Sequence, residues 1–252
     1  MLPKFIPLLL AAGLSCKQKS LSALYEKESI SQRCGSENYY QKIENIPLPR
    51  GCKRINCSSG SFAEWLRNIN LKRNKTVYKF DGTPKSNQTA QFAVLDISVG
   101  SQDLQQCADA VIRLKAEYLY NAEKFDEIIF TDNNNTIYKF REPYTRHNFD
   151  KYLQRVFGMC GSASLAKQLK QHIEIKNINA GDVIVRGGFP GHAVIVMDMA
   201  INNKREKFYL LAQGYMPAQD IHILINPSNP ALSPWYETSD ETKIQTPEYT
   251  FS

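Results

Sequence analysis

The chain has 252 residues, 42% of them hydrophobic, and carries 31 Lys and Arg against 25 Asp and Glu, a formal net charge of +6. That apolar share, with Tyr 13, Phe 12 and Trp 2, is enough for a packed core and excludes a wholly disordered chain. The positive surplus is modest, and no Lys/Arg stripe with interleaved aromatic residues occurs, so nothing points to nucleic acid as a partner.

At the N-terminus, Met-Leu-Pro-Lys precedes the apolar run Phe5 to Leu14, then Ser15 and Cys16. One positive charge, a short apolar stretch and a small residue before the cysteine predict an export signal over residues 1–15. The run is too short to span a bilayer, which takes about 20 residues. Gly13-Leu14-Ser15-Cys16 resembles a bacterial lipobox, with the usual leucine one position off. That resemblance implies cleavage before Cys16 and lipidation of Cys16. The protein is then expected in the bacterial cell envelope, on the periplasmic face or the cell surface, touching the membrane through this N-terminal lipid only. An ordinary signal or a buried N-terminal helix are the alternatives.

Residues 16–45 are polar and read as lipid anchor and tether, leaving 46–252 as a single α+β domain with N-terminal decoration and a C-terminal tail. With Cys16 set aside, Cys34, Cys52, Cys57, Cys107 and Cys160 remain, an odd set in an oxidising compartment. A disulfide among Cys34, Cys52 and Cys57 is one reading. Cys52 and Cys57 lack a second pair at zinc-finger spacing, so no metal is implied.

Pro47, Pro49, Gly51 and Gly60 mark a loop-rich approach to the domain. Ser61-Phe-Ala-Glu64 is a capping box opening a short helix to Arg67. Val77 to Phe80 with Asp81-Gly82 reads as strand and turn, and Phe92 to Ser98 as a strand. Asp103 with Gln106 three residues on predicts a helix start, and Leu104, Cys107, Ala108, Val111, Leu114 and Tyr118 recur at helical spacing to about Tyr120. Ile128 to Thr131 and Thr136 to Phe140 flank an Asn run as a hairpin. Helices are predicted over 148–157 and 162–172, then strands over 182–186, 192–200, 207–213 and 221–225. Residues beyond Pro227 read as a Pro-punctuated surface tail. Helices first and antiparallel strands after make an α+β pattern, not an alternating one.

Three residues in this pattern suit covalent chemistry. His192 opens a strand, and Gln213 closes the next one, which is how an imidazole is oriented as a base. Cys107 lies near a helix start, where the terminal dipole favours a thiolate. Together they supply nucleophile, base and orienter. Cys160, before Gly161-Ser162, is an alternative nucleophile. Blander readings stand beside each: Cys107 falls on the apolar stripe of its helix, as a core thiol would, and Gln213 could simply pair backbone. Asp198 reads first as a solvent-facing strand position and second as a polar residue lining the site, and His222 as a solvent-facing residue or an orienter.

Gly181-Asp182-Val183, Gly191-His192-Ala-Val-Ile-Val196 and Leu-Leu-Ala-Gln213 resemble the strand region of NlpC-type and CHAP cysteine peptidases and amidases. The resemblance implies a papain-like α+β fold, with N-terminal helices packed on an antiparallel sheet, and a cysteine hydrolase acting on amide bonds. By that analogy Cys107, His192 and Gln213 are its catalytic residues, and cell-envelope peptides or peptidoglycan its substrate. The chain departs from that pattern by an extra hairpin and by lacking the run usual after the nucleophile. Over most of its length the chain is more similar to an uncharacterised bacterial lipoprotein family, domain of unknown function 4846. Ser61-Phe-Ala-Glu-Trp-Leu-Arg67, Asp103-Leu-Gln-Gln-Cys-Ala-Asp109, Pro190-Gly-His-Ala-Val-Ile-Val196 and Ala212-Gln-Gly-Tyr-Met-Pro-Ala-Gln219 carry that likeness. A non-catalytic envelope lipoprotein that binds a peptide, glycan or protein partner is the competing expectation. No organic cofactor is implied, and a monomer is expected.

Overall fold

A computed structural model of the protein describes residues 37–169, 174–240 and 243–252. The predicted signal, the lipidated Cys16, most of the tether and Cys34 lie outside the described residues. So does the end of the helix predicted to reach residue 172.

Two long strands organise the sheet, β6 (His192–Asn202) and β7 (Lys207–Gln213), paired antiparallel from Ile195↔Ala212 to Ile201↔Lys207. Nearly every residue of both is buried, because both faces of this curled antiparallel sheet are covered. On one face Ala193, Ile195, Met197, Phe208, Leu210 and Ala212 join the main core; on the other Val194, Val196, Tyr209 and Leu211 join a second cluster. A register shift between Val196 and Asp198 changes the phase, so Met199 falls with the second set and Ala200 with the first.

The far edge of β6 is shared by β5 (Val183–Arg186) and by β1 (Cys52–Arg54), which pairs with its last residues. Beyond β7 lie β8 (His222–Leu224), then β2 (Gln91–Val94), with β9 (Trp235–Glu237) beside the start of β7. β3 (Ile129–Thr131) and β4 (Ile137–Lys139) form the predicted hairpin, and β10 (Ile244–Gln245) pairs with β11 (Thr250–Phe251).

Helix α1 (Phe62–Arg67) is capped as its sequence predicts: Ser61 Oγ accepts from Glu64 N at 3.2 Å, and Glu64 Oε2 accepts from Gly60 N at 2.7 Å. Helix α2 (Cys107–Asn121) has buried residues on both sides. Ala108, Ala110, Val111 and Leu114 meet the sheet, while Ile112, Ala116, Tyr118 and Leu119 join a separate cluster with the β3–β4 hairpin and α3 (Arg146–Met159). A short α4 (Ser162–Gln168) follows at once.

The structure corrects the sequence reading in four places. Residues 38–45 are part of the domain and not of a tether, since Ile43 is fully buried in the core. The loop-rich approach contains strand β1. Asp198 is buried instead of solvent-facing, where Arg54 Nε (2.8 Å) and Arg67 NH2 (2.7 Å) reach its two carboxylate oxygens and tie β1, α1 and β6 together. The region after Pro227 is no surface tail, because Trp235, Tyr236, Ile244 and Phe251 are all buried. Cys52 and Cys57 are free thiols. Among the described residues no helix is long and apolar enough to cross a membrane.

Trp235 is 1% exposed and its indole N–H donates to Pro47 O at 2.7 Å, so it anchors this C-terminal region to the N-terminal loop. Trp235→Ala is expected to cost about 3–5 kcal/mol in urea unfolding; a loss below about 1 kcal/mol would return the segment to the surface.

Candidate functional site

The structure gathers Cys107, His192 and Gln213 at one end of the sheet. Two glycines let them approach. A Cβ on Gly214 would lie 2.8 Å from the carbonyl oxygen of Gln106 and 3.0 Å from Ala110, so only glycine lets the first turn of α2 sit on the end of β7. A Cβ on Gly191 would lie 2.4 Å from Gly188 O and 2.8 Å from Arg186 O, so only glycine fits the tight β5–β6 turn that leads into the start of β6, where Ser162 Oγ of α4 also lies close by.

Cys107 is the first residue of α2. The helix starts later than the Asp103 cap predicted, with Gln106 as its N-cap. Asp103 is occupied elsewhere, accepting from Ala218 N at 2.7 Å and Gln106 Nε2 at 3.2 Å. The later start makes Cys107 the first helical residue, one position after its N-cap instead of the four that an Asp103 cap would give. The backbone N–H groups of Ala108 and of Ala193, the residue after His192, lie near enough to its half-buried sulfur to favour a thiolate. Burial outweighs them and holds the thiol above its ordinary range. Among the described hydrogen bonds none joins this sulfur to the imidazole.

His192 is 2% exposed, and its ring is enclosed by Tyr215, Tyr249 and Phe251, with centroids at 5.2, 4.9 and 5.8 Å. Its Nε2 meets Gln213 Oε1 at 2.8 Å. Gln213 Nε2 in turn donates to Glu248 Oε2 at 2.8 Å and reaches His222 Nε2 at 3.3 Å. These contacts fix the proton positions. Glu248 is a carboxylate that can only accept, so the Gln213 amide nitrogen must face it and the amide oxygen must face His192. His192 Nε2 therefore carries the proton of the neutral ring, and Nδ1 carries the lone pair. His222 closes the scheme: its Nδ1 donates to Asp220 O at 2.8 Å, which leaves its Nε2 to accept from Gln213. Lys85 binds Glu248 Oε2, and Asn87 binds Oε1 at 3.1 Å, which holds the carboxylate in place.

Burial lowers the His192 pKa, and Lys85 adds to that, while Gln213 and Glu248 pull the other way. His222 is fully buried and pushed down to about 3. Both rings are neutral at neutral pH, as the hydrogen-bond pattern requires. Lys85 is also lowered by burial, against the Glu248 carboxylate that holds it charged.

Beside Cys107 opens a cleft of about 710 Å3 between the start of α2, the α3–α4 junction and the β5–β6 turn. Cys160 lines the same cleft, yet its thiol sits in the second core cluster and burial pushes it up to about 11. No imidazole is among its described partners. Among the described residues no group of three or more His, Cys, Asp or Glu is arranged to hold a metal ion.

Sequence reading missed Glu248, Lys85 and the aromatic wall. No local signal marks Glu248 and Lys85, which lie 163 residues apart. His222 alternates with Ile221 and Ile223, a pattern that allows a solvent-facing residue or an orienter; it is fully buried, with its Nε2 on Gln213.

The model of domain of unknown function 4846 matches residues 43–145 and 131–252. The chain belongs to this family. No curated protein and no solved structure matches it.

Asp109, also lining the cleft, is 5% exposed. One carboxylate oxygen accepts from Gln106 N at 3.1 Å, the other has no partner, and burial raises the group from 3.8 to about 8. A folded pKa above the unfolded one means the folded state holds a proton that the unfolded chain releases, so stability falls as pH rises from about 4 to about 8. Asp109→Asn keeps the capping oxygen and has no such proton. Its stability relative to wild type is expected to grow between pH 5 and 8 and then level off; urea titrations showing a pH-independent difference would place the Asp109 pKa in the ordinary range.

Proposed function

We propose that this protein is a thiol hydrolase with a papain-like arrangement, cleaving amide bonds in the bacterial envelope. Cys107 is the nucleophile, His192 the base and Gln213 the residue that orients the ring. The observation that carries the reading is the tautomer imposed on His192. Gln213 and Glu248 hold the proton on Nε2 and leave the Nδ1 lone pair free for a thiol. The backbone N–H of Ala193, the residue after His192, lies near enough to the Cys107 sulfur to favour its thiolate.

In the proposed cycle the Cys107 thiol gives its proton to His192 Nδ1 as sulfur attacks the substrate carbonyl carbon. The C–S bond forms and the carbonyl electrons move to oxygen, where the N–H of Cys107 at the α2 N-terminus stabilises the charge. The C–N bond then breaks, the imidazolium passes its proton to the leaving amine, and a thioester remains. Water, deprotonated by His192, attacks the thioester, and the C–S bond breaks to release the acid and restore the thiol. The raised thiol pKa makes the base necessary, since Cys107 does not ionise by itself at neutral pH. A lipid anchor at Cys16 would confine the enzyme to envelope substrates, and the NlpC-type likeness points to peptidoglycan peptides among them.

A second reading, a non-catalytic module binding a peptide, glycan or protein, is favoured by the burial of His192 and by the missing sulfur–imidazole hydrogen bond. Activity decides between them. Digestion of envelope peptides, followed by mass spectrometry, is expected to fall at least about 10³-fold in Cys107→Ala and His192→Ala. Cys160→Ala should leave it within a few-fold. Equal digestion by wild type and Cys107→Ala would remove Cys107 from the mechanism.

The pH profile gives a separate check. The base must be neutral, and the His192 pKa lies below its ordinary value near 6.5. The acid limb of kcat/KM is therefore expected below about pH 6.5, and a limb above pH 7 would mean that a different base acts.

A further inference from the structure

The mouth of the Cys107 cleft carries exposed apolar side chains. Phe189 is 97% exposed and Met216 is 56% exposed, and both line the opening. Phe189 stands on a turn with little freedom. Ser162 Oγ donates to Gly188 O at 3.2 Å, and Cβ atoms on Gly187 and Gly191 would lie within 3.0 and 2.2 Å of α4. Met216 follows Tyr215, whose ring packs on His192, and Phe189 and Met216 reach the cleft that Cys107 lines from separate segments.

Charge in the cleft points the same way. The protein is net positive, yet no Lys, Arg or His lines this opening among the described residues; its charged-type residues are Asp103 and Asp109. Asp103 is committed to Ala218 N and Gln106 Nε2, and one oxygen of Asp109 has no partner. A carboxylate entering here would lose water and meet no cationic side chain among the described lining residues, which is costly. The Lys167 ammonium is spent on Asn133 O at 3.0 Å at the edge of the lining, whereas an apolar side chain would cover Phe189 and Met216 and gain from it.

We infer that the cleft takes an extended apolar segment of another polypeptide, uncharged or cationic, with Phe189 and Met216 gripping its side chains. Peptidoglycan stem peptides, which carry free carboxylates, fit this cleft less well. The inference narrows the substrate of the proposed hydrolase and rests on that reading for its catalytic meaning. The grip itself can be measured without catalysis.

The test uses the full chain with Cys107→Ala and two rhodamine-labelled decapeptides, read by fluorescence anisotropy. One decapeptide contains only Ala, Leu, Phe and Ser; in the other, two Ser are replaced by Glu. The apolar peptide is expected to bind at least about tenfold more tightly than its acidic counterpart. Adding Phe189→Ser and Met216→Ser should weaken the apolar peptide about tenfold and leave the melting temperature unchanged. Equal or tighter binding of the acidic peptide or of a soluble muropeptide fraction overturns the inference, as does an unchanged apolar affinity in the surface variant. The two readings also fail separately. Wild type that cleaves muropeptides and not the apolar peptide sustains the hydrolase and overturns the inferred substrate. Selective binding of the apolar peptide without cleavage by wild type sustains the cleft's preference and ends the hydrolase reading.

Discussion

The side-chain amide of Gln213 is buried at the end of β7, where each of its polar atoms has a partner that admits one orientation only. Its oxygen meets His192 on β6, and its nitrogen meets Glu248 from the C-terminal segment and His222 on β8. A buried amide left unmatched is costly, so the strands and the C-terminal segment must assemble together for this network to exist. The same constraint sets the tautomers of both histidines. The site's electronic state thus follows from tertiary structure: a carboxylate near the C-terminus, itself held by Lys85, decides which nitrogen of His192 bears a proton.

This dependence explains why β6 and β7 are apolar along almost their whole length. A sheet with one wet face would leave His222, Gln213 and His192 in water, where no hydrogen bond would fix their protons. The C-terminal segment dries the second face through Tyr236, Ile244 and Phe251. At the opposite end of β6, the buried Asp198 depends on Arg54 and Arg67 in the same way, and a lone carboxylate there would be strongly unfavourable. Polar groups in this sheet are admitted only with their partners supplied by other elements.

Around the proposed nucleophile the balance differs. Cys107 and Asp109 are on the same helix turn, and burial disfavours the charged form of each. A cleft in which burial disfavours the charged forms of Cys107 and Asp109, with apolar groups at its mouth, suits an uncharged chain better than an anionic ligand. His192 at the start of β6, Cys107 at a helix start and the apolar rim lie beside Gly191 and Gly214, where a side chain would clash with the backbone of the β5–β6 turn and of the α2 N-terminus.

The sequence alone determined the elements whose causes are local. Ser61 and Glu64 announced the start of α1, the Asn run announced the β3–β4 hairpin, and unbroken apolar stretches marked β6 and β7 to within a residue or two. His192 and Gln213 were legible because each sits at a strand end, and Cys107 because it lies near a helix start. Only the tertiary structure decided the rest. Asp103 is drawn away to Ala218, and this places Cys107 at the first turn of its helix. The segment after Pro227, whose prolines read as surface, turns back to bury Trp235 and bring Glu248 to Gln213. The reason is physical: periodicity and capping act over a few residues, whereas burial and hydrogen-bond partners come from chain segments that sequence separates by more than a hundred residues.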